Sequence, residues 1–372
     1  MTEGEGPDPT LELRPVSVDP VLETLELYLL GGPRALTRLD VAERAGVSSD
    51  RSESLWRALG FSRADDDAVV FSYADVRALQ LAQELVDLGV IDEERELALA
   101  RTWGRTFNRL AEWQVRLLAE QLEDARAPDP EAVRQIAEAV TPKIEELQSY
   151  LWRRAMIANV SRMLLHPVGD EGTVMAVGFA DIVGYTSQSR RLTESELEEL
   201  VEHFESTSNH ICTEHDGRIV KTIGDEILFV AYEPEGAAQI ALELVERHDK
   251  DERFPLVRAG VAYGPVLARL GDVYGSVVNL ASRLTTVARP GRVLVDRGMR
   301  EALEDNEDFA LRRMRRTSVK GFERLEPTRL KRPRDPDDEH ESVISKAASD
   351  LRETIEETIE DVTPEAVRRR RH

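Results

Sequence analysis

Apolar residues in the first half of the chain recur at intervals of three and four, the spacing of amphipathic helices. Segments with this pattern cover residues 19–30, 36–61, 71–90, 93–126 and 131–165. Glycine and proline separate the segments, and Pro142 is expected to kink the last one. The pattern predicts an all-helical domain over residues 19–160, preceded by a flexible lead-in over 1–18 and followed by a linker over 161–172.

Two short amphipathic segments that meet at Gly46 have the layout of a helix-turn-helix. One interpretation is a DNA-binding element. The other is a helical hairpin that serves packing alone, and it is favoured because Asp50 and Glu53 near the start of the second helix would repel phosphates.

The segment 93–126 carries a long apolar stripe that includes Trp103, Phe107 and Trp113. A stripe of this length usually faces a neighbouring helix, and we expect a contact between two copies of the chain. The alternative is a helix buried in the core of its own domain.

After the linker the pattern changes to alternating strands and helices. Strands are predicted over 174–182, 256–263 and 292–296, helices over 193–215, 235–249 and 277–287, and a hairpin over 217–232 with Gly224-Asp225 at its turn. This order predicts an α+β domain over residues 173–332, with a ferredoxin-like sheet covered by helices on one face. Residues 333–372 form a charged tail, either solvated or able to dock a partner or an acidic lipid surface through its amphipathic stretch 342–362 and its terminal arginines.

Composition narrows the class of protein. The 372 residues carry a formal net charge of −22, which argues against a general nucleic-acid binder, because such proteins need a basic face. Cys212 is the single cysteine, so no disulfide can form within the chain and a reducing cytoplasm is expected. The first nine residues lack the layout of a secretory signal, and no apolar stretch reaches the length of a membrane span.

The candidate functional residues lie in three short segments between Val174 and Arg283. Asp181 ends a predicted strand and Asp225 stands at the hairpin turn, so they meet if those strands are neighbours. Carboxylate oxygens are the ligands that Mg²⁺ and Mn²⁺ prefer. Asn279 and Arg283, four residues apart on a predicted helix, share one face.

The three segments resemble the catalytic domain of class III nucleotidyl cyclases, the adenylyl and guanylyl cyclase family. They are Gly178–Thr186, Lys221–Glu226 and Asp272–Arg283. The resemblance implies that Asp181, Asp225 and the carbonyl of Ile182 bind two divalent cations, Mg²⁺ or Mn²⁺. It implies that Asn279 orients the ribose, that Arg283 stabilises the transition state, and that Lys320 binds the terminal phosphates of the substrate.

The resemblance and the polarity of the base both point to ATP as substrate. Lys221 offers a donor for adenine N1 and Asp272 an acceptor for its 6-amino group, whereas surface ion pairing is the alternative role for both. The family also implies a homodimer whose active sites lie at the subunit interface. A diguanylate cyclase is disfavoured because Ile223-Gly224-Asp225-Glu226-Ile227 replaces its glycine-rich hairpin signature.

The helical half resembles the regulatory domain of some actinobacterial adenylyl cyclases, which implies autoinhibition relieved at acidic pH. All seven histidines lie at or beyond His166, so histidines within the helical domain cannot sense acid. We hypothesise that His166 or carboxylate clusters such as Asp65-Asp66-Asp67 contribute instead. Two alternatives remain. One is a DNA-binding regulator whose cyclase-like domain senses nucleotides without catalysis, and the other is a non-catalytic interaction module, which the set of metal and transition-state residues disfavours.

Overall fold

The computed structural model describes residues 19–120, 129–165, 173–314, 317–319 and 322–333. The chain divides into two compact units, the first ending at Arg162 and the second beginning at Met163. The first is helical and the second is built on a mixed sheet, which confirms the predicted fold class. Lys320, His166 and the C-terminal tail lie outside the described residues.

Six helices make up the first unit: α1 (Asp19–Leu29), α2 (Arg38–Ala45), α3 (Ser49–Leu59), α4 (Tyr73–Asp87), α5 (Glu93–Glu120) and α6 (Pro130–Leu165). Local sequence sets their ends. Thr37 and Asp40 form a reciprocal capping box at the start of α2, and Gly46 ends it in the left-handed conformation. Helix α6 runs through Pro142 without an assigned break.

A small apolar core holds α2 to α5 together, formed by Leu36, Val41, Leu55, Trp56, Val76, Leu79 and Ala100. Helix α3 lies so close to α5 that a Cβ on Gly104 would be 2.3 Å from the carbonyl oxygen of Leu59. Arg51 of α3 donates to Glu96 of α5, whose residue is only 4% exposed. Helix α3 buries one face against α5, and its Arg51 is engaged in that contact. These contacts favour the interpretation of the helix-turn-helix as a hairpin that serves packing.

The apolar stripe of α5 is not part of this core. Trp103, Phe107 and Trp113 are 46%, 53% and 59% exposed. Apolar side chains along α6, including Leu151 and Trp152, are exposed as well. A core helix would bury these groups, so their exposure favours the interpretation of α5 as an interface helix.

The second unit contains five helices and ten strands over its described residues. The strands are β1 (Thr173–Ile182), β2 (Arg218–Ile223), β3 (Glu226–Ala231), β4 (Val257–Arg269), β5 (Asp272–Tyr274), β6 (Val293–Val295), β7 (Ala310–Arg313), β8 (Thr317–Val319), β9 (Phe322–Leu325) and β10 (Thr328–Lys331). The helices are α7 (Tyr185–Gln188), α8 (Glu194–Glu214), α9 (Pro234–Lys250), α10 (Ser276–Val287) and α11 (Arg297–Leu303).

The main sheet has the order β2-β3-β1-β4-β6-β10-β7, with β5 paired to β4. Its first four strands are antiparallel and follow the strand-helix-hairpin-helix-strand path of the ferredoxin-like plan. Strand β4 then pairs with β6 in parallel, and β10 and β7 extend the sheet. Strand β1 lies near the centre and is buried along most of its length.

Helices cover both faces of this sheet, so the expectation of helices on one face is wrong. On β1, Ala176 and Ala180 belong to the core formed with α8 and α9, whereas Val177 and Phe179 belong to the core formed with α10. Successive side chains of a strand point to opposite faces, which places α10 opposite α8 and α9. A Cβ on Gly260 of β4 would be 2.3 Å from the backbone of α10, so glycine permits this close approach.

Candidate active site

The structure brings Asp181, Ile182 and Asp225 together at one end of β1. Strand β1 pairs with β3, with Asp181 opposite Glu226, and the amide of Ile182 donates to the carbonyl oxygen of Asp225 at 3.1 Å. The β2–β3 turn that presents Asp225 contains Gly224 at φ 65°, a conformation that favours glycine. The strands beside Asp181 and Asp225 are therefore neighbours, which is the condition under which the sequence predicts that these two residues meet.

Arg258 binds the Asp181 carboxylate, a contact that the sequence did not predict. The two residues are register partners across β1 and β4, and Arg258 donates to Oδ2 of Asp181 from Nε at 2.7 Å and from Nη2 at 2.6 Å. Burial raises the pKa of Asp181, and the charge of Asp225 adds to the rise, while Arg258 opposes it. The pKa of Asp181 is above its ordinary value even so.

Glu226 is a third carboxylate at this end of the sheet. Burial, followed by the negative charges of Asp181 and Asp225, raises the pKa of Glu226 to about 7. Burial is the largest cause of the rise, and the two neighbouring carboxylates add negative charge that Arg258 only partly offsets.

The donor set fits a divalent cation in its chemistry. Asp181 and Asp225 supply carboxylate oxygens, and Ile182, whose amide donates to the carbonyl oxygen of Asp225, supplies a backbone carbonyl group of its own. Within the described ranges no group of three or more His, Cys, Asp or Glu side chains is arranged to hold a metal ion. Two carboxylates leave coordination positions for substrate oxygens and water, as Mg²⁺ usually requires.

Lys221 and Asp272 form a second cluster. Lys221 lies on β2 and Asp272 begins β5, and Nζ of Lys221 donates to Oδ2 of Asp272 at 2.5 Å. Partial burial acts to raise the pKa of Asp272, but the hydrogen bond from Lys221 and that from the amide of Val273 hold it below its usual value. The pair therefore presents a charged donor and a charged acceptor side by side.

Asn279 and Arg283 lie on the outer side of α10. Val277, Ala281, Leu284 and Thr285 are the buried positions of this helix, whereas Asn279 and Arg283 are exposed. In the part of the chain that the structure describes, no hydrogen bond or ion pair links either of them to Asp181 or Asp225.

Asp181 and Lys221 lie on the same face of the sheet as α10. Lys221 is the register partner of Leu228, which belongs to the core formed with α10. Asp181 lies two positions after Phe179 of the same core and points to the same face. Asp181 and Lys221 therefore both lie on the face of the sheet that α10 covers.

Comparisons with known proteins add to this geometry. Residues 170–331 match the adenylate and guanylate cyclase catalytic domain. An adenylate cyclase of Glutamicibacter nicotianae is 40% identical over 346 residues, covering 88% of this chain and 86% of the relative. One of Streptomyces coelicolor is 40% identical over 316 residues, covering 82% of each. A pH-sensitive adenylate cyclase of Mycobacterium tuberculosis is 32% identical over 317 residues, covering 82% of this chain and 78% of the relative.

These similarities extend well beyond the matched domain and into the helical unit, because each covers more than four fifths of the chain. Among the described residues no helix has the length and apolar character needed to span a membrane.

Proposed function

Since the chain belongs to the adenylate and guanylate cyclase family, we propose that it converts ATP to 3′,5′-cyclic AMP and pyrophosphate in a homodimer. The observation that carries the proposal is the pairing of Lys221 with Asp272, on the same sheet face as the juxtaposed Asp181 and Asp225. The relatives that cover most of the chain are adenylate cyclases, which supports ATP as the substrate.

The reaction joins the ribose 3′-oxygen to the α-phosphorus as pyrophosphate leaves. Two divalent cations, Mg²⁺ or Mn²⁺, would supply acidity at the 3′-hydroxyl and neutralise phosphate charge when bound. Asp181, Asp225 and the carbonyl of Ile182 would hold them. The contacts that Arg258 makes to Oδ2 hold the direction of the Asp181 carboxylate.

Adenine is selected by the paired cluster. The ammonium of Lys221 donates to N1 of the base, and the carboxylate of Asp272 accepts from the 6-amino group. Guanine presents the reverse polarity at these positions, so each of its groups would meet a partner of the same kind. The pKa of Asp272, held below its usual value, keeps the acceptor ionised at neutral pH.

Asn279 and Arg283 act together with Lys221 and Asp272 of the same copy, on a substrate whose cations would be held by Asp181 and Asp225 of the other copy. Asn279 positions the ribose, and the guanidinium of Arg283 donates to phosphate oxygens as charge develops. Their exposure on α10 in a single copy supports an active site completed across a subunit interface. Lys320, which lies outside the described residues, binds the terminal phosphates in this proposal.

Product analysis tests the chemistry. Purified protein is incubated with ATP or with GTP in the presence of Mn²⁺, and products are identified by mass. Cyclic AMP from ATP is expected, and the proposal fails if cyclic GMP dominates or if neither nucleotide is cyclised.

Subunit complementation tests the shared site. Asp181→Asn and Arg283→Ala are each expected to lose on the order of 10²-fold or more in activity. Mixing the two restores one intact site in each mixed dimer, giving roughly a quarter of the wild-type rate after random exchange. Equal amounts of either variant with itself serve as controls, and a mixture no more active than they are would exclude a site built from two copies.

The helical unit is proposed to restrain the catalytic domain, residues 173–332, and to release it in acid. Similarity to a pH-sensitive adenylate cyclase supports this role. Of the proposed carboxylate sensors, Asp66 is the weakest candidate, because its hydrogen bond from Arg38 holds its pKa below the usual range. A role of His166 in sensing acid remains a proposal.

Truncation tests the restraint. A chain starting near Glu171 should turn over ATP faster than the full chain at neutral pH, and equal rates would exclude autoinhibition. His166→Ala should alter the pH–activity profile of the full chain if the linker senses acid. We propose a cytoplasmic location, consistent with the single buried Cys212.

A further inference from the structure

The end of the catalytic unit is basic, in contrast to the chain as a whole. Residues 310–334 contain ten lysines and arginines against two glutamates, a net charge of +8 in a chain whose total is −22. This segment includes strands β7 to β10, and Lys320 lies in the sequence between β8 and β9. A role of Lys320 at the terminal phosphates of ATP leaves the other basic residues without a function.

A small cavity lies beside this basic segment, with a volume of about 190 Å³. It is lined by Arg300, Arg313, Met314, Glu326, Pro327 and Thr328. Arg313 and Thr328 are register partners across β7 and β10, so they share a face of the sheet. Thr328 is also the register partner of Val295, which belongs to the same core as Met299 and Leu303 of α11. The cavity therefore lies on the α11 side of the sheet, opposite the face that carries the candidate active site.

Two hydrogen-bonding atoms of the lining residues are buried and have no partner among the described residues: Oγ1 of Thr328 and Nε of Arg300. Thr328 is 1% exposed, and the side chain of Arg300 is 12% exposed. Arg300 uses Nη2 to donate to Glu301 at 3.3 Å. Arg313 is exposed, and its side chain has no hydrogen bond or ion pair within the described ranges. Because buried donors are normally satisfied, unpaired donors around one cavity indicate a bound acceptor.

The groups around the cavity suit phosphate. Two guanidinium groups and a hydroxyl donate hydrogen bonds, and the guanidinium groups supply positive charge, as phosphate recognition requires. Glu326 lines the same cavity. Its carboxylate repels a fully deprotonated anion, but it can accept a hydrogen bond from the O–H group that phosphate keeps at neutral pH. Sulfate has the same shape without that proton, so Glu326 disfavours sulfate.

We propose that this cavity is a binding site for inorganic phosphate, in which Arg300, Arg313 and Thr328 donate to the anion and Glu326 accepts from it. The site is separate from the candidate active site, because the two lie on opposite faces of the sheet.

The cavity also lies at the base of the β8–β9 hairpin. Met314 precedes the hairpin in the chain, Glu326 and Pro327 follow it, and all three line the cavity. The amide of Met314 donates to the carbonyl oxygen of Pro327 at 2.9 Å and closes this base. Bound phosphate therefore braces the two ends of the segment that carries Lys320. This consequence, unlike the site itself, rests on the proposed function.

Isothermal titration calorimetry of the full-length protein with sodium phosphate, without nucleotide or divalent cation, tests the site. Arg313→Gln removes an exposed guanidinium and should weaken phosphate binding by roughly tenfold or more, because charge-assisted hydrogen bonds are lost. Thr328→Val removes the hydroxyl, keeps the shape of the side chain and should weaken binding by roughly three- to tenfold. Sulfate should bind to the wild type roughly tenfold more weakly than phosphate.

Arg312→Gln is the matched control, because Arg312 is the neighbouring exposed arginine of β7 and points to the opposite face of the sheet. It should leave phosphate affinity unchanged. Thr328→Val also separates binding from stability. Without phosphate it should unfold in urea at no lower concentration than the wild type, because its hydroxyl has no partner to lose. A lower urea midpoint would mean that the hydroxyl serves the fold, which contradicts the proposal.

Unchanged phosphate affinity in Arg313→Gln and Thr328→Val would place any phosphate binding elsewhere and overturn the site. Equal affinity of the wild type for sulfate and phosphate would overturn the assignment to phosphate. Circular dichroism identifies a variant that has not folded, and Arg313→Gln, at an exposed position, then decides alone.

Steady-state kinetics with ATP and Mg²⁺ tests the link to the hairpin. Phosphate can compete with ATP in the candidate active site of every variant, so the wild type and Arg313→Gln are compared at the same phosphate concentration. Phosphate should raise the KM for ATP less in the wild type, because only the wild type gains a braced hairpin. An equal rise in both would refute this link while the calorimetric result for the site stands. Absence of any turnover would refute the proposed function and leave the phosphate site to calorimetry.

Discussion

Glu226 makes the stability of the catalytic unit depend on pH in a direction opposite to that of most carboxylates. Its pKa rises from 4.5 to about 7 on folding, because it is partly buried and faces Asp181 and Asp225. The folded state therefore holds the proton more tightly than the unfolded state. The resulting stability is complete below pH 4.5 and is lost as pH rises through about 7.

The size of the effect follows from the same values. One pKa unit corresponds to about 1.36 kcal/mol, so a rise from 4.5 to about 7 would be worth about 3 kcal/mol without screening. Glu226 is only partly buried, and solvent screening reduces the value. We expect Glu226→Gln to be more stable than wild type by about 1 to 2 kcal/mol at pH 8, with most of that gain absent at pH 4.5.

The assay is urea denaturation at both pH values, followed by far-ultraviolet circular dichroism. Tryptophan fluorescence, recorded in parallel, reports the helical half, because all four tryptophans precede residue 160. Carboxylates with lowered pKa, such as Asp272, weaken both proteins equally in acid and cancel in the comparison. Glu307→Gln, at an exposed position of the same unit, is the control. A difference between Glu226→Gln and wild type that is the same at both pH values would refute the reasoning.

Three further substitutions test the site and the packing. Asp272→Asn leaves Lys221 without its charged partner and should lower kcat/KM for ATP by roughly 10- to 100-fold while leaving GTP little changed; equal losses for both nucleotides would contradict base selection. Gly260→Ala brings a Cβ within 2.3 Å of the α10 backbone and should destabilise the catalytic unit by about 1 to 3 kcal/mol, measured by urea denaturation. Gly104→Ala makes the same clash between α5 and α3, and should lower the unfolding midpoint seen by tryptophan fluorescence; an unchanged midpoint would mean that the helices separate freely.

The local pattern of apolar and polar residues predicts most of the architecture. The turn at Gly224-Asp225 could be read from a glycine and an aspartate between two β-branched runs, and the structure places both there. The helical segments follow from apolar periodicity, and their boundaries fall within a few residues of the expected ones. The sequence predicts a shared role for Lys221 and Asp272, and the structure pairs their side chains.

What the sequence could not supply depends on long-range register and path. Asp181 and Arg258 are 77 positions apart, and a slip of one residue between β1 and β4 would point them to opposite faces. The face that α10 covers depends on how the chain leaves the β4–β5 hairpin, which periodicity alone does not report. Strands β7 and β10 have four residues each, too few for an alternating pattern to identify.

The position of the clusters on one sheet face argues for a two-fold dimer. Asp181, Lys221 and α10 all lie on that face, and Asn279 and Arg283 point away from the sheet. An isologous contact places the same surface of each copy against the other, so the residues that complete one site must also complete the second. In the proposed dimer two equivalent sites would arise from one interface, and we expect burial between the copies of exposed apolar residues that include Ile223, Leu267 and Tyr274.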